Sequence, residues 1–227
     1  PRSPERLMGL PARSPQMQFI GGAIPGAGSE YFMVNEDYVV PMKPTTAPED
    51  AAMVEPLAVA VHSVAMAGDL GREPVVVFGA GTIGILTALV AREWGAGDLV
   101  IVDRHAFRLG VAASLGLDTF EITGSETGEE MVRRLGRTPG LAFECVGREE
   151  ALNTAIGFVR RGGTVVVVGV YESLPQTDMV SVQDRELTIR GSLMYSWSDF
   201  LEAARLIDEA RFALGRLRTH TVSFEDW

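Results

Sequence analysis

The sequence predicts an α/β protein, a parallel sheet of about six strands with helices on both faces. Short β-branched or aromatic runs recur without polar alternation, at Val75-Val76-Val77-Phe78, Leu99-Val100-Ile101-Val102 and Thr164-Val165-Val166-Val167-Val168. Such runs mark strands buried on both faces. Stretches of helical composition separate them, and a glycine-rich turn links the first run to the helix that follows.

In chain order, residues 1–50 are rich in Pro, Gly and Ser, with two strand-like patches, Glu30-Tyr31-Phe32-Met33-Val34 and Tyr38-Val39-Val40. Pro41, Pro44 and Pro48 interrupt regular structure and predict a linker or domain edge. From Asp50 to Ala67 the pattern is helical and apolar on most sides, so this helix is expected to be buried. Pro56 inside it predicts a kink or a helix boundary.

Pro74 to Phe78 is the first strand and Ile85 to Trp94 reads as a helix. A second strand ends at Asp103, then a helix is expected from Phe107 to Leu115 with Gly116 as its stop. A short strand follows at Asp118–Ile122, a helix at Gly128–Leu135 and a strand at Leu141–Val146 that ends at Gly147. The helix Ala151–Val159 is closed by Arg160-Arg161-Gly162-Gly163, cations at the carbonyl end and glycines as cap. Strands at Thr164–Val168 and Leu187–Leu193 complete the sheet, followed by an amphipathic helix, Phe200–Phe212, and a strand, Thr219–Phe224.

Gly79-Ala80-Gly81-Thr82-Ile83-Gly84 matches G-x-G-x-x-G, and Asp103 lies 103 − 79 = 24 residues after the first glycine. That is close to the ~20 of a dinucleotide-binding βαβ unit. Gly79 turns the chain off the strand, Gly81 lets backbone approach a pyrophosphate, and Gly84 lets helix pack on sheet. The helix start at Thr82 and Ile83 offers N–H groups to the phosphates. Asp103 would accept the adenosine ribose hydroxyls and repel a 2′-phosphate, which favours NAD over NADP. Arg104 and Arg108 could accommodate that phosphate; a solvated edge or adenine stacking is the preferred reading beside Asp103. A glycine triplet alone also serves tight turns, but the strand, helix, second strand and acid in register favour a doubly wound Rossmann domain.

The 227 residues can hold one large domain, or one domain and part of another. Their 46% hydrophobic content and 25 glycines suit a folded α/β protein. A net charge of −10 argues against a general nucleic-acid surface. The single cysteine, Cys145, excludes an intrachain disulfide and a multi-cysteine metal site, and fits a reducing compartment. No apolar run reaches the ~18 residues of a membrane span and no signal segment is read at the start. A cytoplasmic protein without a membrane partner is expected. Pro1 in place of methionine fits a removed leader or a longer gene product.

The run Met53-Val54-Glu55-Pro56-Leu57-Ala58-Val59-Ala60-Val61-His62, the GAGTIG turn and Val102-Asp103-Arg104 resemble the medium-chain dehydrogenase/reductase superfamily. Phe143-Glu144-Cys145-Val146-Gly147, Arg161-Gly162-Gly163-Thr164-Val165 and Glu186-Leu187-Thr188-Ile189-Arg190-Gly191-Ser192 extend the resemblance, which runs from about Ser14 to Trp227. It is nearest to the zinc-type polyol (sorbitol) and threonine dehydrogenases. The resemblance implies NAD-linked oxidation of a secondary alcohol or polyol, or reduction of the ketone, by a homo-oligomer. It divides the chain into a remnant of a GroES-like β domain at 1–50, a Rossmann domain at 51–212 and a return toward the catalytic domain at 213–227.

The same resemblance implies a catalytic zinc held by a Cys and a His-Glu pair, upstream of every residue present. A structural zinc lobe of spacing C-x2-C-x2-C-x7-C would place its last three cysteines at Ser3, Arg6 and Ser14, which supply no thiolate. No metal-ligand set is therefore expected in this chain, and cofactor binding without turnover is expected of the chain alone.

Three residues are weak catalytic candidates. Glu55 stands where zinc-type relatives present a carboxylate to the metal or its water; a cap or structural hydrogen bond is the preferred reading. His62, seven residues on, shares its helix face and reads as a packing histidine. Tyr195 either faces a substrate cleft or packs on Trp197 and Phe200. Near the cofactor, Cys145 and Val146 flank the expected crevice, with Cys145 read as a small buried hydrophobe. Val168, Gly169 and Val170 are expected at the nicotinamide end, because ligands bind outside the carboxyl ends of such strands. His105 is expected near the adenine, facing solvent. A catalytically silent NAD-binding module and a zinc-free enone reductase are the competing readings.

Overall fold

A computed structural model describes residues 11–123 and 127–226. Six strands, β1 (Val75–Phe78), β2 (Leu99–Asp103), β3 (Asp118–Glu121), β4 (Leu141–Glu144), β5 (Thr164–Val167) and β6 (Thr188–Gly191), form one sheet in the order β3-β2-β1-β4-β5-β6. Every pairing is parallel, with Val75 opposite both Leu99 and Leu141 and Val77 opposite both Ile101 and Phe143. The strand order reverses between β1 and β4, which opens a crevice at their carboxyl ends.

The helices are α1 (Pro48–Ala51), α2 (Val54–Ala67), α3 (Thr82–Glu93), α4 (Ala106–Ser114), α5 (Thr127–Leu135), α6 (Glu149–Phe158), α7 (Met179–Asp184) and α8 (Trp197–Asp208). Successive strand residues point to opposite faces. Val75 and Val77 therefore join Leu57, Val61, Ile85, Leu89 and Leu206 on the side of α2, α3 and α8. Val76 and Phe78 join Met131, Leu135 and Ile156 on the side of α5 and α6. This two-sided burial explains the absence of polar alternation. Each large side chain so buried stabilises the fold by roughly 1.5–3 kcal/mol.

Helix boundaries differ from expectation where local chemistry intervenes. The 50–67 helix is broken at Ala52 and Met53, and Pro56 sits in the first turn of α2, where its missing N–H costs no helical bond. Taken together, the 20 residues Pro48–Ala67 contain an 18-residue window of mean hydropathy 1.3, long and apolar enough by composition to cross a membrane. That corrects the expectation that no run has this length. In the fold α2 packs against α3 and α8. The last long helix begins at Trp197, ahead of the expected Phe200, because Ser196 and Asp199 form a reciprocal capping box. Helix α7 stands in a stretch to which no element was assigned from sequence; Asp178 caps it by accepting from the Ser181 N–H at 3.0 Å.

The strand-like patches Glu30–Val34, Tyr38–Val40 and Thr219–Phe224 form no strand. Tyr31 and Met33 are 90% and 95% exposed, and Glu36–Tyr38 is a 3₁₀ turn. Strand propensity measures fit to a paired, half-buried surface, and no neighbouring strand among the described residues pairs with these segments. Ser3 and Arg6 lie outside the described residues. Residues 43–46 are tied to the last turn of α8: Lys43 N–H and the Thr46 hydroxyl donate to the Asp208 carboxylate, and Lys43 Nζ donates to its carbonyl at 3.1 Å.

Candidate functional site: the crevice at the carboxyl ends of the strands

The glycine turn and Asp103 are joined directly. Asp103 is 8% exposed; its Oδ2 accepts the Ala80 N–H at 2.8 Å and its Oδ1 the His105 N–H at 2.9 Å. Gly79 takes a left-handed φ of 101° and its N–H donates to Val102 O. A Cβ on Gly84 would lie 1.8 Å from Gly79 O, so only glycine permits this approach of α3 to the turn. A Cβ on Gly81 would meet nothing within 4 Å, which leaves open space over the turn. Gly81 is the N-cap of α3, and no side chain caps the first-turn amides of Thr82, Ile83 and Gly84. Arg108 approaches Asp103 at 3.8 Å from an exposed position, and Arg104 is also exposed.

The opposite wall is held by a carboxylate that sequence reasoning missed. Glu144 ends β4 at 0% exposure; its Oε1 accepts the Val146 and Gly147 N–H groups at 2.7 and 2.8 Å, and its Oε2 accepts the Tyr171 hydroxyl at 2.7 Å. Three donors on one buried carboxylate lock the loops after β4 and β5 together. Burial first, then the bond to Glu144, push the Tyr171 hydroxyl well above its ordinary value. A Cβ on Gly147 would meet Val170 O at 2.2 Å and one on Gly169 would meet Gly147 N at 2.1 Å, so neither loop has room for a side chain.

The Val168 and Gly169 N–H groups both donate to Glu144 O, at 2.8 and 2.9 Å. Those two amides are therefore occupied within the protein. Val146 and Val170 are exposed at the rim. The Cys145 thiol is raised far above its ordinary value by burial first and by Glu144 second, which fits the small-hydrophobe reading.

All three catalytic candidates converge beyond β6. Met194 takes a left-handed φ of 51° in the turn before α8, a conformation costing a non-glycine residue roughly 1–2 kcal/mol. The Tyr195 hydroxyl lies beside Glu55, and burial first, then Glu55, push it up to about 12. His62 Nδ1 meets Asp199 Oδ2 at 2.8 Å, and that oxygen also accepts the Ser196 N–H and hydroxyl. His62 thus ties one face of α2 to the start of α8, with Glu55 on the same helix beside Tyr195. Tyr195 combines its two readings: its ring lies 5.6 Å from that of Phe200, and it lines a cavity shared with His62. His105 is exposed, as expected.

A zinc ion does not fit these groups. Among the described residues no three or more His, Cys, Asp or Glu side chains cluster as ligands. His62 is bonded to Asp199 and burial raises the Cys145 thiol, which leaves Glu55 as a single oxygen donor.

The parallel sheet, the reversal of strand order and the clamped glycine turn define a doubly wound dinucleotide-type domain. The family model for zinc-binding dehydrogenases matches residues 82–209, more than half of the chain, and the chain belongs to that family. Within it the likeness is to the polyol branch of the medium-chain dehydrogenases. Sorbitol dehydrogenase 1 of Saccharomyces cerevisiae is 33% identical over 211 residues, 89% of this chain and 59% of the relative. D-xylulose reductase A of Aspergillus oryzae is 32% identical over 88% of this chain and 58% of its own length. The structure of galactitol-1-phosphate dehydrogenase from Escherichia coli superposes with TM-score 0.84 at 27% identity, covering 93% of this chain and 64% of that one. The chain thus spans less than two thirds of the length of these relatives.

Proposed function

We propose that the chain is the cofactor-binding part of an NAD-dependent dehydrogenase that oxidises a secondary alcohol or polyol, or reduces the corresponding ketone, by hydride transfer. The carrying observation is the bond from Ala80 N–H to Asp103 across 23 residues, which fixes the glycine turn against the end of β2. In this reading the pyrophosphate lies on Gly81, Thr82, Ile83 and Gly84, and the adenosine ribose takes the remaining lone pairs of Asp103. Arg104 and Arg108 flank the adenine. Cys145, Val146, Val168, Gly169 and Val170 shape the way to the nicotinamide. The Glu144 clamp presets that wall before the cofactor arrives. No step is derived through a metal.

Relatives named for sorbitol, xylulose and galactitol phosphate support a small hydroxylated substrate, and NAD over NADP rests on Asp103 alone. Residues 51–212 are the Rossmann domain, with 1–50 and 213–227 belonging to a second, GroES-like domain. The four exposed residues of β6, an outer strand, offer an edge for a second copy and support the homo-oligomer reading, while the single cysteine supports a cytoplasmic one. Titration with NAD(H) and NADP(H) by calorimetry and NADH fluorescence tests the cofactor assignment. NADH should bind more tightly; NADPH binding as tightly or more so would refute it.

A further inference from the structure

A cavity of 430 Å³ opens at the carboxyl ends of β5 and β6, beside Gly169 and therefore at the expected nicotinamide end. It is within the range of roughly 300–1,000 Å³ usual for small-molecule sites. Its polar lining is Arg13, His62, Ser192, Tyr195 and Ser196, and no carboxylate is among the described residues that line it. In a chain with 30 acidic and 20 basic residues that is an unusual wall. The Asp199 carboxylate just behind it has donors of its own, His62 and Ser196.

Arg13 has no hydrogen bond or ion pair with any described residue. Arg13, exposed at the cavity and with no counter-charge among the described residues that line it, is suited to a carboxylate or phosphate, which a guanidinium can hold with paired N–H bonds. His62 has Nδ1 engaged by Asp199, which leaves Nε2 for a ligand hydroxyl. The Ser192 hydroxyl is shielded from solvent and unpaired among the described residues.

We propose that this cavity receives a hydroxylated compound bearing an anionic group, a sugar acid or a polyol phosphate, with Arg13 reading the charge and His62 reading a hydroxyl. The proposal rests on the dinucleotide reading above and narrows its substrate from polyols in general to acidic ones.

The test is calorimetric titration of the whole chain, saturated with NADH, with sorbitol, gluconate, sorbitol 6-phosphate and inorganic phosphate. At least one acidic compound should bind about ten-fold or more tightly than sorbitol, the worth of one charge-assisted bond. The Arg13→Gln variant should remove that preference, with its melting curve as the folding control. Gluconate against sorbitol 6-phosphate separates a carboxylate site from a phosphate site. The proposal fails if sorbitol binds as tightly as both acidic compounds, if inorganic phosphate matches them, if Arg13→Gln keeps the preference, or if nothing but NADH binds. Absence of NADH binding would refute the dinucleotide reading instead, and the same four titrations on the cofactor-free chain would still decide the cavity.

Discussion

Asp103 Oδ2 and the Ala80 N–H meet at 2.8 Å, so the acid that ends the second strand also holds the glycine turn in shape. A residue expected only to select the cofactor therefore has a second, structural task. Asp103→Ala should leave the buried Ala80 N–H unpaired and cost roughly 1–3 kcal/mol of stability. It should also weaken NADH more than NADPH. Urea unfolding and paired fluorescence titrations measure the two effects, and an equal loss of both cofactors would reduce Asp103 to its structural task.

Gly81 and Gly84 should separate binding from folding. A methyl at Gly81 enters open space, so Gly81→Ala should melt close to the parent and lose cofactor affinity about ten-fold or more. A methyl at Gly84 lands on Gly79 O, so Gly84→Ala should lower the melting temperature by several degrees or fail to fold. Comparable melting of both variants would contradict the geometry.

Glu144 should prove one of the most sensitive positions in the chain. Glu144→Ala strands three donors and should cost about 3 kcal/mol or more, whereas Tyr171→Phe removes one charge-assisted bond and should cost roughly 1.5–3 kcal/mol. Glu144→Gln, which can still accept at one end and donate to the Tyr171 oxygen, should fall between the parent and Glu144→Ala. Chemical denaturation of the three variants gives the order.

The Asp199 carboxyl feels burial, which raises it, but the bonds from His62 and Ser196 outweigh that and hold it below the ordinary carboxylate range. A group lowered on folding contributes stability above its unfolded value near 3.9, and that contribution is lost as pH falls through the lower folded value. Tyr195 has the opposite sign: raised to about 12, its contribution is complete below its unfolded value of about 10 and disappears as pH rises through that window. Unfolding midpoints from about pH 3 to about pH 12 should show both limbs. Asp199→Asn should flatten the acid limb and Tyr195→Phe the alkaline one.

The sheet was legible because its strands are buried on both faces, which leaves Val75–Phe78 and Thr164–Val167 without polar interruption. The glycine turn was legible because its spacing to Asp103 is itself a geometric requirement. Helix α7 was missed although Asp178 is an ordinary N-cap, because Met179-Val180-Ser181-Val182 lacks strong helix formers. The patch at Glu30–Val34 misled because its residue types favour strands whether or not a partner strand is present. Glu144 looked like an ordinary strand end; its significance depends on Tyr171, 27 residues later. The His62–Asp199 pair spans 137 residues and left no local sign. Contacts made by the fold rather than by neighbours in sequence are what pattern reading could not supply.

The tie of Lys43 and Thr46 to Asp208 bears on how this chain can be trimmed. A protease works on backbone that can peel away, and Tyr31 and Met33 stand fully in its reach. The anchored residues 43–46 resist because they are fastened to a helix end more than 160 positions later. Digestion should therefore stop short of Lys43, leaving a resistant fragment that begins before the first helix. A truncation placed at residue 51 would discard that anchor and expose the last turn of α8, even though every strand and the whole glycine turn would survive the cut.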